Sequence, residues 1–113
     1  MILVTGGLGS GRHEFVRRCF PGRECLEFGP AQAQEALAAG AAPSEAALQL
    51  FKRHPDAVII TQEVGCGVVP IDASDRAWRE ALGRAACVLA AESDTVILMT
   101  AGIGTAIKGR MPE

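Results

Sequence analysis

No apolar run in this 113-residue chain approaches the ~20 residues a membrane-spanning helix needs, so no helical span is expected. The opening residues Met1-Ile2-Leu3-Val4-Thr5 have no basic start, and their apolar stretch ends at Gly6-Gly7, which does not read as a signal peptide. Eleven Lys and Arg against 13 Asp and Glu give a formal net charge of −2. The basic residues do not gather into a cluster, and without one the chain lacks the electrostatic footprint of a nucleic-acid binder. No C-x-x-C pair occurs either. Cys19, Cys25, Cys66 and Cys87 are separated by 6, 41 and 21 positions, spacings that fit neither a zinc site nor a disulfide framework. Free thiols in a reducing, cytoplasmic setting are the expectation, with no metal held by cysteine. No internal repeat and no separable second domain are visible, so residues 1–113 read as one domain.

What is present is globular: 49% hydrophobic and 21% charged residues. Ile2 to Thr5 is apolar, β-branched and closed by glycines, the pattern of a buried strand. Arg12 to Cys19 can form a short helix stopped at Phe20-Pro21-Gly22, and Glu24 to Phe28 alternates like a short strand. Pro30 can open a helix running to Ala39. Ser44 can cap another, with Ala47, Leu48, Leu50 and Phe51 on one face, ended at His54-Pro55. Ala57 to Thr61 is a second strong strand. Ser74 or Asp75 caps a long helix to about Glu92, and Thr95 to Thr100 is a third strong strand. Nineteen alanines, mostly in the middle and C-terminal half, favour the helices. Continuous apolar strands separated by helices predict an α/β fold with a mostly parallel sheet of about four or five strands. Sites in such sheets lie at the carboxyl ends of the strands, where segments 6–13, 62–70 and 101–108, all glycine-rich, should converge.

The first of these segments is Gly6-Gly7-Leu8-Gly9-Ser10-Gly11-Arg12-His13. Its strand–loop–helix context and its end glycines match a phosphate-binding loop, whose backbone amides point at the ligand and are reinforced by a helix N-terminus. The alternative is a glycine-rich turn that binds nothing. The two positions after Gly11 depart from the pattern. Arg12 keeps a positive charge as a planar fork rather than a compact ammonium, and His13 cannot replace a hydroxyl ligand to Mg²⁺. His13 reads as a phosphate contact or an exposed helix-start residue. Glu63, just past the second strong strand, could hold a sugar hydroxyl, order a metal-bound water or act as a base; alternatively it accepts from loop amides. Gly65 and Gly67 suit unusual backbone geometry, and Cys66 between them has no identifiable basic partner. Lys108 reads as a phosphate contact or a solvated charge, Trp78 as core or subunit interface, and His54 as a helix-end residue on the far edge of the sheet.

These residues resemble a family. The opening I-L-V-T-G-G-x-x-S-G and, above all, Val58 to Pro70 (V-I-I-T-Q-E-V-G-C-G-V-V-P) are similar to the bifunctional adenosylcobinamide kinase / adenosylcobinamide-phosphate guanylyltransferases of cobalamin synthesis. The likeness continues through Ala77-Trp78-Arg79-Glu80, Leu82-Gly83-Arg84, Ala101-Gly102-Ile103 and Ile107-Lys108, and covers roughly 1–18 and 57–108. It implies a P-loop NTPase-like fold and a homo-oligomer. Gly6, Gly7, Gly9, Ser10, Gly11, Arg12 and His13 would bind ATP or GTP, with or without Mg²⁺. Arg12 and Glu63 would carry catalysis, and adenosylcobinamide would be the phosphate acceptor. Against the family pattern, Gly9 stands for Arg, Arg12 for Lys, His13 for Ser, Gln62 for Asn, and Ala86-Cys87 for an Asn-Gln pair. The family's middle section, with its guanylylated histidine, has no recognisable counterpart in residues 19–56. Two functional readings follow: a minimal kinase whose catalysis is weakened or lost, or a non-catalytic nucleotide- or anion-binding relative acting as subunit or regulator.

Overall fold

The structure, a computed structural model, describes residues 1–63 and 73–112, and for Ala73 to Asp75 the backbone alone. The V-G-C-G-V-V-P run, with Gly65, Cys66 and Gly67, therefore lies outside the described residues. Along the chain run β1 (Ile2–Gly6), α1 (Arg12–Cys19), β2 (Cys25–Phe28), α2 (Pro30–Ala38) and α3 (Pro43–Arg53). They are followed by β3 (Val58–Thr61), α4 (Ala73–Glu92), β4 (Thr95–Thr100) and β5 (Ile103–Lys108). The sheet order is β2-β3-β1-β4-β5, with β5 alone antiparallel. This is the mostly parallel, five-stranded α/β sheet of a P-loop NTPase-like fold.

Side-chain alternation sorts the core into two layers. Leu3, Ile59 and Val96 pack with Ala33, Ala47, Leu82, Ala85 and Leu89, so α2, α3 and α4 cover one face. Val4, Val58, Ile60, Ile97 and Met99 pack with Phe15 and Val16, so α1 covers the other. β1 and its neighbour β3 thus send the chain to opposite faces. That divergence opens a crevice at their carboxyl ends, the place where ligands sit in open α/β sheets.

Local starts and stops follow the sequence with small shifts. Pro43, not Ser44, opens α3; its N-cap is Ala42, and Pro at the first helical position has no amide to leave unsatisfied. α4 begins at Ala73, so Ser74 and Asp75 lie inside its first turn. His54 caps the carboxyl end of α3, and its Nδ1 lies 2.9 Å from Glu24 Oε1.

The main departure is residues 101–108. Only the turn Ala101-Gly102 reaches the crevice; β5 then runs back along β4, with Thr100 opposite Ile103. Both turn residues have positive φ, 50° for Ala101 and 80° for Gly102, as a two-residue hairpin turn requires. Lys108 consequently lies at the amino end of β4, where Nζ donates to the carbonyls of Ala90 and Ala91 and caps α4. Trp78 packs against the core from α4.

Ala101 is strained by its φ, so Ala101→Asn should raise stability by about 0.5–1 kcal/mol. Gly104 has no room for a side chain, since an added Cβ would meet Phe15 Cε2 at 2.8 Å. Gly104→Ala should therefore cost about 1–3 kcal/mol. Urea denaturation of the two variants checks both signs.

Candidate functional site

The loop Gly7–Gly11 crosses the carboxyl edge of the sheet between two anchors. On one side the Glu63 amide donates to the Gly6 carbonyl at 2.8 Å; on the other the Gly102 amide donates to the Ser10 carbonyl at 2.9 Å. The loop thus meets the other two segments near their starts, at Glu63 and Gly102, while 64–70 lie outside the described residues and 103–108 run back along β4. Two glycines are set by this geometry. A Cβ on Gly6 would meet Ser10 Oγ at 2.6 Å and the Met99 carbonyl oxygen at 2.7 Å. Gly11, the N-cap of α1, has φ 88°, a conformation that L side chains rarely adopt.

Past Gly11 the first turn of α1 closes through Phe15 N to Gly11 O at 3.0 Å. Among the described residues, no backbone carbonyl accepts from the amides of Gly9, Gly11, Arg12 or His13. These are donors at a helix N-terminus with a favourable dipole, the arrangement that binds phosphate oxygens. Gly7, Leu8 and Gly9 form the outer part of the loop, and Leu8 is largely exposed.

Arg12 turns inward. It is 6% exposed, and its Nη1 donates to the Thr61 carbonyl at 2.6 Å, tying the start of α1 to the end of β3. Burial pulls its pKa down from the ordinary arginine value, and the Glu27 charge works in the opposite direction. His13 is exposed, with Nε2 3.5 Å from Glu27 Oε1. Glu27 thus faces both residues that follow Gly11. Sequence reasoning passed over it, although its place near the end of a short strand on the site edge was a usable signal.

Glu63 is exposed beside the loop, its backbone held by Gly6. With Gln62 it stands at the mouth of a groove of about 300 Å³ between β1 and α4, walled by Gly83, Ala86, Cys87 and Ala90.

Two buried hydroxyls, Ser10 Oγ and Thr61 Oγ1, have no hydrogen-bond partner among the described residues. A buried unsatisfied polar group is costly, so Ser10→Ala and Thr61→Val should leave stability unchanged or raise it by up to about 1 kcal/mol. Arg12→Ala, which strips a buried carbonyl of its donor, should cost about 2–4 kcal/mol. Denaturant titrations measure all three; a clear loss in either hydroxyl variant would show that the hydroxyl holds a partner.

Comparison with known proteins bears on this geometry. The family model described as CobU, cobinamide kinase / cobinamide phosphate guanyltransferase, matches residues 24–107. The glycine loop precedes that stretch. The bifunctional adenosylcobalamin biosynthesis protein CobU of Salmonella typhimurium (strain LT2) is 45% identical over 51 residues, which is 45% of this chain and 28% of that relative. The match of the family model over most of its length places this chain in the cobinamide kinase / cobinamide phosphate guanyltransferase family.

Proposed function

We propose that the chain binds ATP or GTP through the glycine loop and serves cobalamin synthesis as an adenosylcobinamide kinase-like protein whose phosphoryl transfer is weak. The observation that carries this reading is the row of amides at Gly9, Gly11, Arg12 and His13 that no backbone carbonyl among the described residues engages, at the carboxyl ends of β1 and β3. Those amides would take the terminal phosphate oxygens, and the α1 dipole would add about 0.3–1 kcal/mol. Arg12 would supply positive charge from below the loop. Glu63, on the rim, would accept the proton of the attacking hydroxyl or hold a nucleoside hydroxyl. In-line transfer relies on positioning and charge neutralisation, so a fixed loop is the part that matters most.

The weakness follows from the same residues. Arg12 is engaged by Thr61, so less of its charge is free to follow the transferring group. The donors do not suit Mg²⁺: an imidazole paired with Glu27 stands where a hydroxyl would ligate, and no cluster of three metal-ligating side chains occurs among the described residues. Guanylyl transfer would need a histidine at the crevice. His54 caps α3 against Glu24, and His13 sits on the loop helix itself. A homo-oligomer forms part of the reading, and the exposed Leu8, Ile103 and Ile107 would gain from burial in one.

A second reading, a metal-independent binder that acts as subunit or regulator, is favoured by the same Arg12 and His13 pairings. Thermal shift with ATP, GTP and their diphosphates, with and without Mg²⁺, separates the two. Stabilisation that Mg²⁺ enhances, with phosphorylated adenosylcobinamide as product, supports the kinase. Equal stabilisation without metal and no product supports the binder, and no shift with any nucleotide removes both. Glu63→Gln should lower product formation by about 10²–10⁴-fold with nucleotide affinity unchanged if Glu63 is the base. A fall in affinity of about tenfold instead would assign it to nucleoside binding.

A further inference from the structure

A second cleft lies on the α1 face of the sheet. It occupies about 360 Å³ between α1 and β2 and runs from His13 past the end of the helix to Pro21 and Gly22. Its floor is apolar, made by Val16 and Ile60, both almost wholly buried, and Phe20 forms a wall. Its rim carries two arginines and one histidine. His13 and Arg17, four residues apart, stand in one row on α1, and Arg23 stands across from them.

We propose that this cleft binds a small aromatic anion, a flat apolar body carrying a carboxylate, sulfonate or phosphate. Three observations carry it. First, among the described residues no carboxylate lines the cleft: the nearby Glu24 faces His54, and Glu27 faces His13. Second, one cation is held in place before any ligand arrives. Arg23 Nε donates to the Asp56 carbonyl at 2.9 Å, and the guanidinium carbon stands 6.0 Å from the centre of the Phe20 ring. The terminal nitrogens of Arg23, and the whole guanidinium of Arg17, have no partner among the described residues. Third, two other grooves among the described residues lack this chemistry. The groove between α2, α3 and β2, about 310 Å³, is lined by Glu27 and Glu35 with no cation, and the α4 groove carries Glu63 at its mouth.

The parts fit one kind of ligand. An aromatic ring covering Phe20, Val16 and Ile60 removes apolar surface from water, and its acidic group reaches two arginines that can form charge-assisted hydrogen bonds. The volume of about 360 Å³ lies at the small end of ligand pockets, which sets the size near that of a two- or three-ring compound. Cys25 also borders the cleft; burial, and then the Glu27 charge, raise its thiol pKa, so it lies there as a neutral wall group. The site adjoins the glycine loop at His13, which lines this cleft and whose amide belongs to the loop, but the proposal does not depend on the nucleotide reading.

The test is a fluorescence titration of the full chain with anilinonaphthalene sulfonate, beside phenylnaphthylamine, its uncharged analogue. The proposal expects one saturable sulfonate site per chain and at least ~10-fold weaker binding of the neutral analogue. Arg17→Glu, an exposed change that should leave the melting temperature unmoved, should weaken the sulfonate by ~10-fold or more. Phe20→Leu should weaken both probes. Non-saturable binding, equal affinity for the two probes, or indifference to Arg17→Glu would overturn it. So would self-association that abolishes probe binding, which would make a second copy the occupant. Competitive displacement of the sulfonate by GTP would place the probe on the loop and also overturn it. The nucleotide reading stands or falls separately, on the thermal shift with GTP.

Discussion

β1 is hydrogen-bonded on both sides, Val4 opposite Ile60 in β3 and opposite Ile97 in β4. Because side chains alternate, a one-residue slip in either ladder would exchange the two core layers. Val4, Ile59, Ile60 and Ile97 are all at most 1% exposed, so the register is held by burial on both faces at once. The site inherits that rigidity. Gly6 ends β1 opposite Met99, and Glu63 follows two residues after the end of β3. Their backbones meet in one hydrogen bond, and the loop is suspended from fixed points rather than built on a mobile segment.

Charge at the loop is arranged by the same constraint. An arginine stays protonated at any accessible pH, so a buried one must find acceptors instead of giving up its proton. Arg12 finds the Thr61 carbonyl, with the Glu27 charge nearby. A lysine at this position would be a point charge on a flexible stem, able to follow a phosphate as it moves. The planar fork trades that mobility for a strut between α1 and β3. The glycine loop is therefore preformed, and the residue that would have to follow the reaction is partly committed to holding it.

Much of this was legible in sequence because it rests on local pattern. The runs Ile2–Thr5, Ala57–Thr61 and Thr95–Thr100 are apolar enough to be buried strands in any context, and their glycine-rich continuations had to fall on one edge once the strands were parallel. The departures are of another kind. β5 was hidden because its turn uses Ala101, a residue with no turn signature, and because Gly104 and Ala106 dilute the alternation of Ile103, Thr105 and Ile107. The inward turn of Arg12 and the position of Glu27 depend on residues 49 and 15 positions away, and no spacing rule reports such contacts. Ser44 looked like a cap by composition, but Pro43 has its φ fixed for a helix and took the first position.

The distribution of helices over the sheet accounts for the rest of the surface. Both helices between β2 and β3 pack on the α4 side, where Ala33 and Ala47 are fully buried. Among the described residues, the opposite face has α1 alone, eight residues long, to cover strands on either side of β1. Phe15 reaches toward β5 and limits Gly104 to a hydrogen side chain, while Val16 and Phe20 reach toward β3. A single short helix cannot fill both directions. Toward β5 the fit is tight enough to exclude a methyl group; toward β2 the floor made by Ile60 is left under an open cleft. Arg17 and Arg23 border that opening, where their charged ends stay in water while their stems shelter the apolar floor. A structural role would be served as well by lysines or uncharged polar residues; two arginines, one tied to a carbonyl and set over an aromatic ring, are what a cleft needs to hold an anion at a fixed angle.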